Sequence, residues 1–180
     1  IIHKKIIFIY LYIDMNLNTN PINSETLNYC KKNIEYFGLK GWGKVISYAQ
    51  PVINSMWGSK FEINEIIPGI FISDFSSACE TEKLKDMGIT HIVTAITGVD
   101  EMYPELFKYH TIDICDRKYY DIKKHFNSCA EFIDDALKEN GKVLVHCLKG
   151  ASRSAAIVAA YLISKKNYTC ASAIGIMKEK

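Results

Sequence analysis

No apolar run in this 180-residue chain approaches the roughly 20 residues that a membrane-spanning helix needs. The run from Ile6 to Ile13, in "IIHKKIIFIYLYIDMN", stands behind two lysines, and the polar "NLNTNPINSE" that follows offers no small-residue cleavage site. A targeting role is therefore a poor fit. An excess of charge is also missing. Lys and Arg number 22 against 20 Asp and Glu, a formal net charge of +2, too small to argue for nucleic acid or a membrane surface as partner. The six cysteines, Cys30, Cys79, Cys115, Cys129, Cys147 and Cys170, include no C-x-x-C pair, which argues against a zinc module and a secreted disulfide framework alike. A reducing compartment is expected, cytoplasmic or else nuclear. There is no initiating methionine, the first being Met15. The expectation is a natural start at Met15, or a piece of a longer protein.

What is present describes a folded protein with one ordinary domain: 48% hydrophobic and 23% charged residues support a real core. Residues 1–60 form an N-terminal extension in which "SETLNYCKKNIEYFG" has the spacing of one helix, capped by Ser24 and stopped by Gly38. Residues 39–60, rich in Gly and aromatics, show no period. From Phe61 an alternating α/β layout begins. "FEINEIIPG" and "IFIS" predict strands around a Pro-Gly turn, and "SSACETEKLKDMG" a helix capped by Ser and stopped by Gly88. "ITHIVTAI" is apolar on both faces, as in the middle of a sheet, and "LFKYHTIDI" alternates like a strand. In 121–140, Ile122, Phe126, Cys129, Ile133 and Leu137 form one stripe between the cap Asp121 and the stop Gly141. "KVLV" predicts a buried strand, "SRSAAIVAAYLISKK" a central helix, and Thr169 opens one more. The fold class expected is α/β, a mainly parallel central sheet flanked by helices, whose ligands bind beyond the carboxyl ends of the strands.

The stretch "VLVHCLKGASRS", residues 143–154, falls at such an end. Strand, loop and helix succeed one another there, so loop N–H groups and a helix N-terminus converge as an anion cradle. Gly150 allows a backbone conformation closed to residues with a Cβ. Arg153 adds a planar fork suited to two phosphate oxygens. Under the same field the Cys147 thiol is drawn toward thiolate, its nucleophilic form. A phosphate cup with a thiolate at its base suits attack on phosphorus.

These residues carry a resemblance. "HCLKGASRS" matches H-C-x-x-x-x-x-R-[ST] of the cysteine-dependent protein phosphatases, and "SRSAAIVAAYL" resembles their dual-specificity branch, the tyrosine-specific enzymes usually reading Gly-Arg-Thr-Gly. "EINEIIPGIFISDFSSA", "GITHIVTAI", "YHTIDICD" and "HFNSCAEFIDDAL" follow in the order and register of that branch, so the catalytic domain is expected over 61–180. The resemblance implies a protein tyrosine phosphatase-like fold and these roles. Cys147 forms a phosphocysteine; Arg153 binds the phosphoryl oxygens; Ser154 assists the departing sulfur; His146 orients the loop and helps keep the thiolate charged. Leu148, Lys149, Gly150, Ala151 and Ser152 contribute backbone N–H groups.

An acid must protonate the leaving oxygen and then activate water. The family places an Asp just past a strand, leaving Asp113 or Asp116. Asp113 lies inside the alternation of "HTIDI", whereas Asp116 opens the loop "DRKYYD", and Asp116 is the choice. No metal or cofactor is implied, because arginine and amides supply the positive charge. The expected partners are phosphorylated proteins, with oligomeric state unread. Cys30, Cys79, Cys129 and Cys170 read as buried packing. Cys115 is expected to be a half-buried strand residue, the alternative being a reversible disulfide with Cys147. Lys149, Arg117 and Lys118 either favour acidic substrates or are solvated surface, Tyr119 and Tyr120 either edge the pocket or cover the loop, and His110 and His125 read as structural.

Segments around "FSSA" and "FIDDALKENGKVLVH" also resemble the serine/threonine/tyrosine-interacting pseudophosphatase, in which glycine replaces the cysteine; a phosphoprotein-binding pseudophosphatase is thus the alternative. Phosphoinositide phosphatases tend to carry lysines where Leu148 and Ala151 stand, and RNA 5′-triphosphatases Asn-Arg-Thr-Gly where Ser152–Ala155 stand, so both are minor alternatives. The family often has Gly at Ser73 and Asn at Thr94 or Ala95, differences expected to touch packing more than chemistry. Its last helix usually continues beyond "IMKEK", so truncation at Lys180 is expected.

Overall fold

The computed structural model describes residues 60–99, 101–114 and 121–179. The helix expected over 24–38, the stretch 39–59 and residues 115–120, with Cys115, Asp116, Arg117, Lys118, Tyr119 and Tyr120, lie outside them.

Five strands form one sheet: β1 (Ile63–Ile67), β2 (Ile70–Ser73), β3 (His91–Ala95), β4 (Lys108–Ile112) and β5 (Val143–His146), in the order β1-β2-β5-β3-β4. Only β1 and β2 pair antiparallel, through the Pro68–Gly69 turn, where Gly69 holds φ +85°. The other three pairings are parallel. The last strand in the chain is thus the central one, and all four of its residues are buried. Its final residue, His146, stands in register with Ser73 on one side and Thr94 on the other. Cys147 leaves the sheet immediately beyond that row.

The two-residue period of the strands divides the core between the faces. Ile70, Ile72, Val93, Ala95, Ile112, Val143 and Val145 pack with the helices α3 (Phe126–Lys138), α4 (Arg153–Lys166) and α5 (Cys170–Lys178). Phe71, Ile92 and Leu144 pack with Phe75, Cys79, Leu84, Met102 and Phe107 on the other side. Covering both faces is what makes "ITHIVTAI" apolar throughout; every residue of β3 is buried. Among the described residues no helix is long and apolar enough to cross a membrane.

Helix boundaries differ in places from those expected. The segment after β2 is two short helices, α1 (Phe75–Ala78) and α2 (Thr81–Asp86), separated at Cys79 and Glu80. Its cap is Asp74, whose carboxylate accepts from the Ser77 N–H at 2.8 Å, and no serine plays that part. Asp121 caps a 3-10 turn, Ile122–His125, that leads into α3. At the other end of α3 the left-handed residue is Asn140 (φ 57°), and N–H groups of Asn140 and Gly141 return to the carbonyls of Leu137 and Ala136, a Schellman closure. Gly141 is needed for close approach instead: a Cβ there would stand 2.6 Å from Thr90 Oγ1 and 2.9 Å from the Ala136 carbonyl. Cys79 and Cys129 are buried packing as expected, whereas Cys170 is exposed at the first turn of α5, where that short helix meets solvent.

Gly141→Ala is therefore expected to destabilise the domain by about 1–3 kcal/mol through overpacking. The check is a lower urea midpoint with an unchanged slope.

Candidate active site

The loop from Cys147 to Ser152 joins the buried end of β5 to the start of α4. Ser152, the residue before α4, caps the helix with no side-chain hydrogen bond, so the first turn presents backbone donors to the loop. Gly150 holds φ +68°, and a Cβ on it would lie 2.8 Å from the Ser73 carbonyl carbon and oxygen and 2.9 Å from the Asp74 nitrogen. Glycine is required twice over, for its conformation and for its approach to the end of β2. The same wall ties the loop at its start, where the Phe75 N–H donates to the Leu148 carbonyl at 3.5 Å.

Cys147 is 2% exposed, and its Sγ lies 3.4 Å from the Ser154 hydroxyl. Burial alone pushes this thiol up. Hydrogen bonds from the Ser154 hydroxyl and from the backbone N–H groups of Ser154, Lys149 and Ser152 outweigh it, and the pKa comes down to about 7. The contrast is Cys79, where burial acts beside Glu80 and Asp74 and the thiol is driven far up. Chain position, and not cysteine itself, makes the difference.

Arg153 is also buried. Its Nη1 donates to the Ala95 carbonyl at 2.9 Å and to the Ile114 carbonyl at 3.0 Å, so the guanidinium is anchored to the carboxyl ends of β3 and β4. His146 is wholly buried, with its Nε2 2.9 Å from Thr94 Oγ1 and its ring 6.1 Å from that of Phe75. Burial holds the imidazole neutral, with its pKa lowered to about 3; the Cys147 backbone opposes that shift and the Arg153 charge reinforces it. His146 therefore meets the loop as a neutral ring, not as a cation paired with the thiolate. Leu148 is 56% exposed, and Lys149 and Ala151 are exposed beside it.

Cys147, Ser154, Arg153 and His146 thus come together with the loop amides. Asp116 lies outside the described residues. Its rival Asp113 is exposed and accepts from the Gly98 N–H at 3.3 Å. His110 is structural too, 3.2 Å from Ser128 Oγ and stacked on Phe132. Sequence reasoning missed the contributions of Asp74, Thr94 and the Ala95 and Ile114 carbonyls. Only Asp74 carried a signal, an Asx residue three positions before Ser77. Among the described residues no three His, Cys, Asp or Glu side chains gather as they would around a metal ion.

The sequence profile described as dual specificity phosphatase, catalytic domain, matches residues 70–180. Dual specificity protein phosphatase 1B of Arabidopsis thaliana is 36% identical over 119 residues, which are 66% of this chain and 71% of that protein. MAP kinase phosphatase with leucine-rich repeats protein 3 of Dictyostelium discoideum is 41% identical over 118 residues, 65% of this chain but 14% of that protein. The crystal structure of human tyrosine phosphatase-like serine/threonine/tyrosine-interacting protein matches with a TM-score of 0.63 at 35% identity, covering 67% of this chain and 85% of that one.

Two expectations follow from the geometry. Gly150→Ala costs about 1–3 kcal/mol in strain and overlap and moves the Cys147 thiol back up, seen as slower alkylation by iodoacetamide at neutral pH. His146, with a folded pKa near 3 against an ordinary 6.5, binds protons more readily unfolded than folded, so its contribution to stability is intact above pH 6.5 and is lost as pH falls toward 3. In NMR spectra its ring signals stay those of neutral imidazole from pH 8 down to pH 5.

Proposed function

Because the chain belongs to the dual specificity phosphatase family, we propose that it is a protein phosphatase hydrolysing phosphotyrosine and phosphoserine or phosphothreonine through a phosphocysteine intermediate. The observation that carries this is the Cys147 thiol, lowered to about 7 in spite of burial by the donors of its own loop. At neutral pH a large fraction is thiolate, held in a cup of amides that suits a phosphoryl group.

In the first step Cys147 Sγ attacks phosphorus, the phosphorus–oxygen bond to the protein side chain breaks, and Asp116 gives its proton to the departing oxygen. Arg153 and the N–H groups of Leu148, Lys149, Gly150, Ala151, Ser152 and Arg153 take up charge on the equatorial oxygens. In the second step Asp116 takes a proton from water, the water oxygen attacks phosphorus, and the sulfur–phosphorus bond breaks. The Ser154 hydroxyl, 3.4 Å from Sγ, stabilises the thiolate as it leaves. His146 holds the loop from below. Residues 61–180 are assigned as the catalytic domain and 1–60 as an extension to it.

The second reading is a phosphoprotein-binding domain without turnover, favoured by the likeness to the serine/threonine/tyrosine-interacting protein. Against it stand Cys147 and Arg153, both in place and buried together.

Hydrolysis of a small aryl phosphate without added metal separates them. Wild type turns over, and Cys147→Ser and Arg153→Ala each lose about 1000-fold or more in kcat/KM. Asp116→Ala falls by about 100-fold and loses the alkaline limb that a required acid imposes on the pH profile. A folded wild type that binds phosphopeptide without turnover selects the binding domain instead.

A further inference from the structure

The side chain of Thr94 points at the site's histidine. It is fully buried near the carboxyl end of β3, opposite His146 in the parallel register, with Oγ1 2.9 Å from His146 Nε2. We propose that Thr94 is a positioning residue for the phosphatase reaction argued above: its hydroxyl donates to Nε2, fixes the His146 ring as its Nδ1–H tautomer, and through that ring holds the Cys147 backbone at the base of the loop.

The direction of the hydrogen bond follows from the partners available. A neutral imidazole has one donor and one acceptor nitrogen. If Nε2 donated, the Thr94 hydroxyl hydrogen would need another acceptor, and among the described residues Oγ1 has no hydrogen-bond partner besides His146. If Thr94 donates, the ring proton sits on Nδ1. That nitrogen has no partner of full hydrogen-bond geometry among the described residues, yet the backbone of Cys147 acts on the ring to favour its protonated form, as a carbonyl acceptor does and an N–H donor does not. The bond between Thr94 and Nε2 thus selects one tautomer, with the ring proton on Nδ1. A ring so fixed meets the peptide of Cys147 with an N–H, whereas a ring free to exchange tautomers would turn a lone pair toward the same carbonyl. The arrangement parallels the way an outer partner orients a metal-bound histidine through its far nitrogen.

The groups acting on the pair are few. Arg153 is the charged neighbour of His146, and Cys147 faces the Ser154 hydroxyl and the N–H groups of Lys149, Ser152 and Ser154. Displacing the Cys147 backbone spoils the alignment of those donors with Sγ, so loss of the Thr94 hydroxyl raises the thiol pKa although Thr94 never touches sulfur.

The test compares Thr94→Val, which keeps the shape and removes the hydroxyl, with Thr94→Ser, which keeps the hydroxyl. The pH midpoint of iodoacetamide alkylation of Cys147 is measured in each, together with the nitrogen chemical shifts of His146 in wild type. Expected are the Nδ1–H tautomer, a midpoint raised by about half to one pH unit in Thr94→Val, and restoration in Thr94→Ser. An Nε2–H tautomer in wild type overturns the proposal even if Thr94→Val fails to fold. An unmoved midpoint in a folded Thr94→Val overturns it too, as does an equal shift in both variants, which would assign the effect to packing. None of these readouts needs turnover, so a catalytically silent protein would refute the phosphatase reading and leave the role of Thr94 decided separately.

Discussion

A thiol buried at the end of a central strand is protonated unless something compensates, and the compensation here is a set of N–H groups aimed at Cys147 Sγ. Everything about the loop serves that aim. It must curl tightly enough for the amides of Lys149 and Ser152 to face sulfur while α4 begins with Ser154 against it. A curl that tight needs Gly150 in a left-handed conformation, and it needs the end of β2 as a wall. The sheet order supplies the wall: β5 lies between β2 and β3, so the loop emerges with backbone on both sides.

The neighbours are consistent with a site organised around negative charge. His146, directly before the cysteine, is kept neutral by burial and by Arg153, so among the described residues the buried positive groups of the site are the anchored Arg153 guanidinium and the N-terminal end of α4. A fixed guanidinium loses little freedom when an anion arrives. Its two carbonyl partners belong to Ala95 and Ile114, which makes the ends of β3 and β4 part of the site's foundation. Asp116 follows Ile114 by two positions in the chain, so the proposed acid is close in sequence to a carbonyl that helps hold the proposed phosphate ligand.

The strand-loop-helix order around Cys147 is legible in sequence because each element has a local cause: an unbroken apolar run, a glycine, then an Ala-rich apolar stretch. The stripe of α3 and the double-sided burial of β3 are legible for the same reason, since periodicity records which faces are covered. Local causes compete at Phe75–Asp86, where the Asp74 cap closes one turn and the chain breaks at Cys79 before a second helix starts. No local pattern announces that break. Contacts made across the sheet are invisible in the sequence altogether. That Ser73 backs Gly150, or that the Ala95 and Ile114 carbonyls hold Arg153, depends on strand order, and strand order is a property of the whole fold.

Thr94 shows the same limit from the other side. Read along the chain it is one β-branched residue in a run that already favours a strand, and nothing local marks it for more than packing. Parallel pairing with β5 changes its meaning, because the register sets it level with His146 and the strand's alternation turns both side chains into one buried space. A buried hydroxyl beside a buried imidazole satisfies both groups at little cost, and it also removes a choice of tautomer that solvent would otherwise leave open. Burial thus does two opposite things within two residues of chain: at His146 it suppresses charge, and at Cys147 it is overridden so that charge persists. The difference lies in what faces each group: at His146 a hydroxyl and the Arg153 charge, at Cys147 the Ser154 hydroxyl and a set of backbone amides.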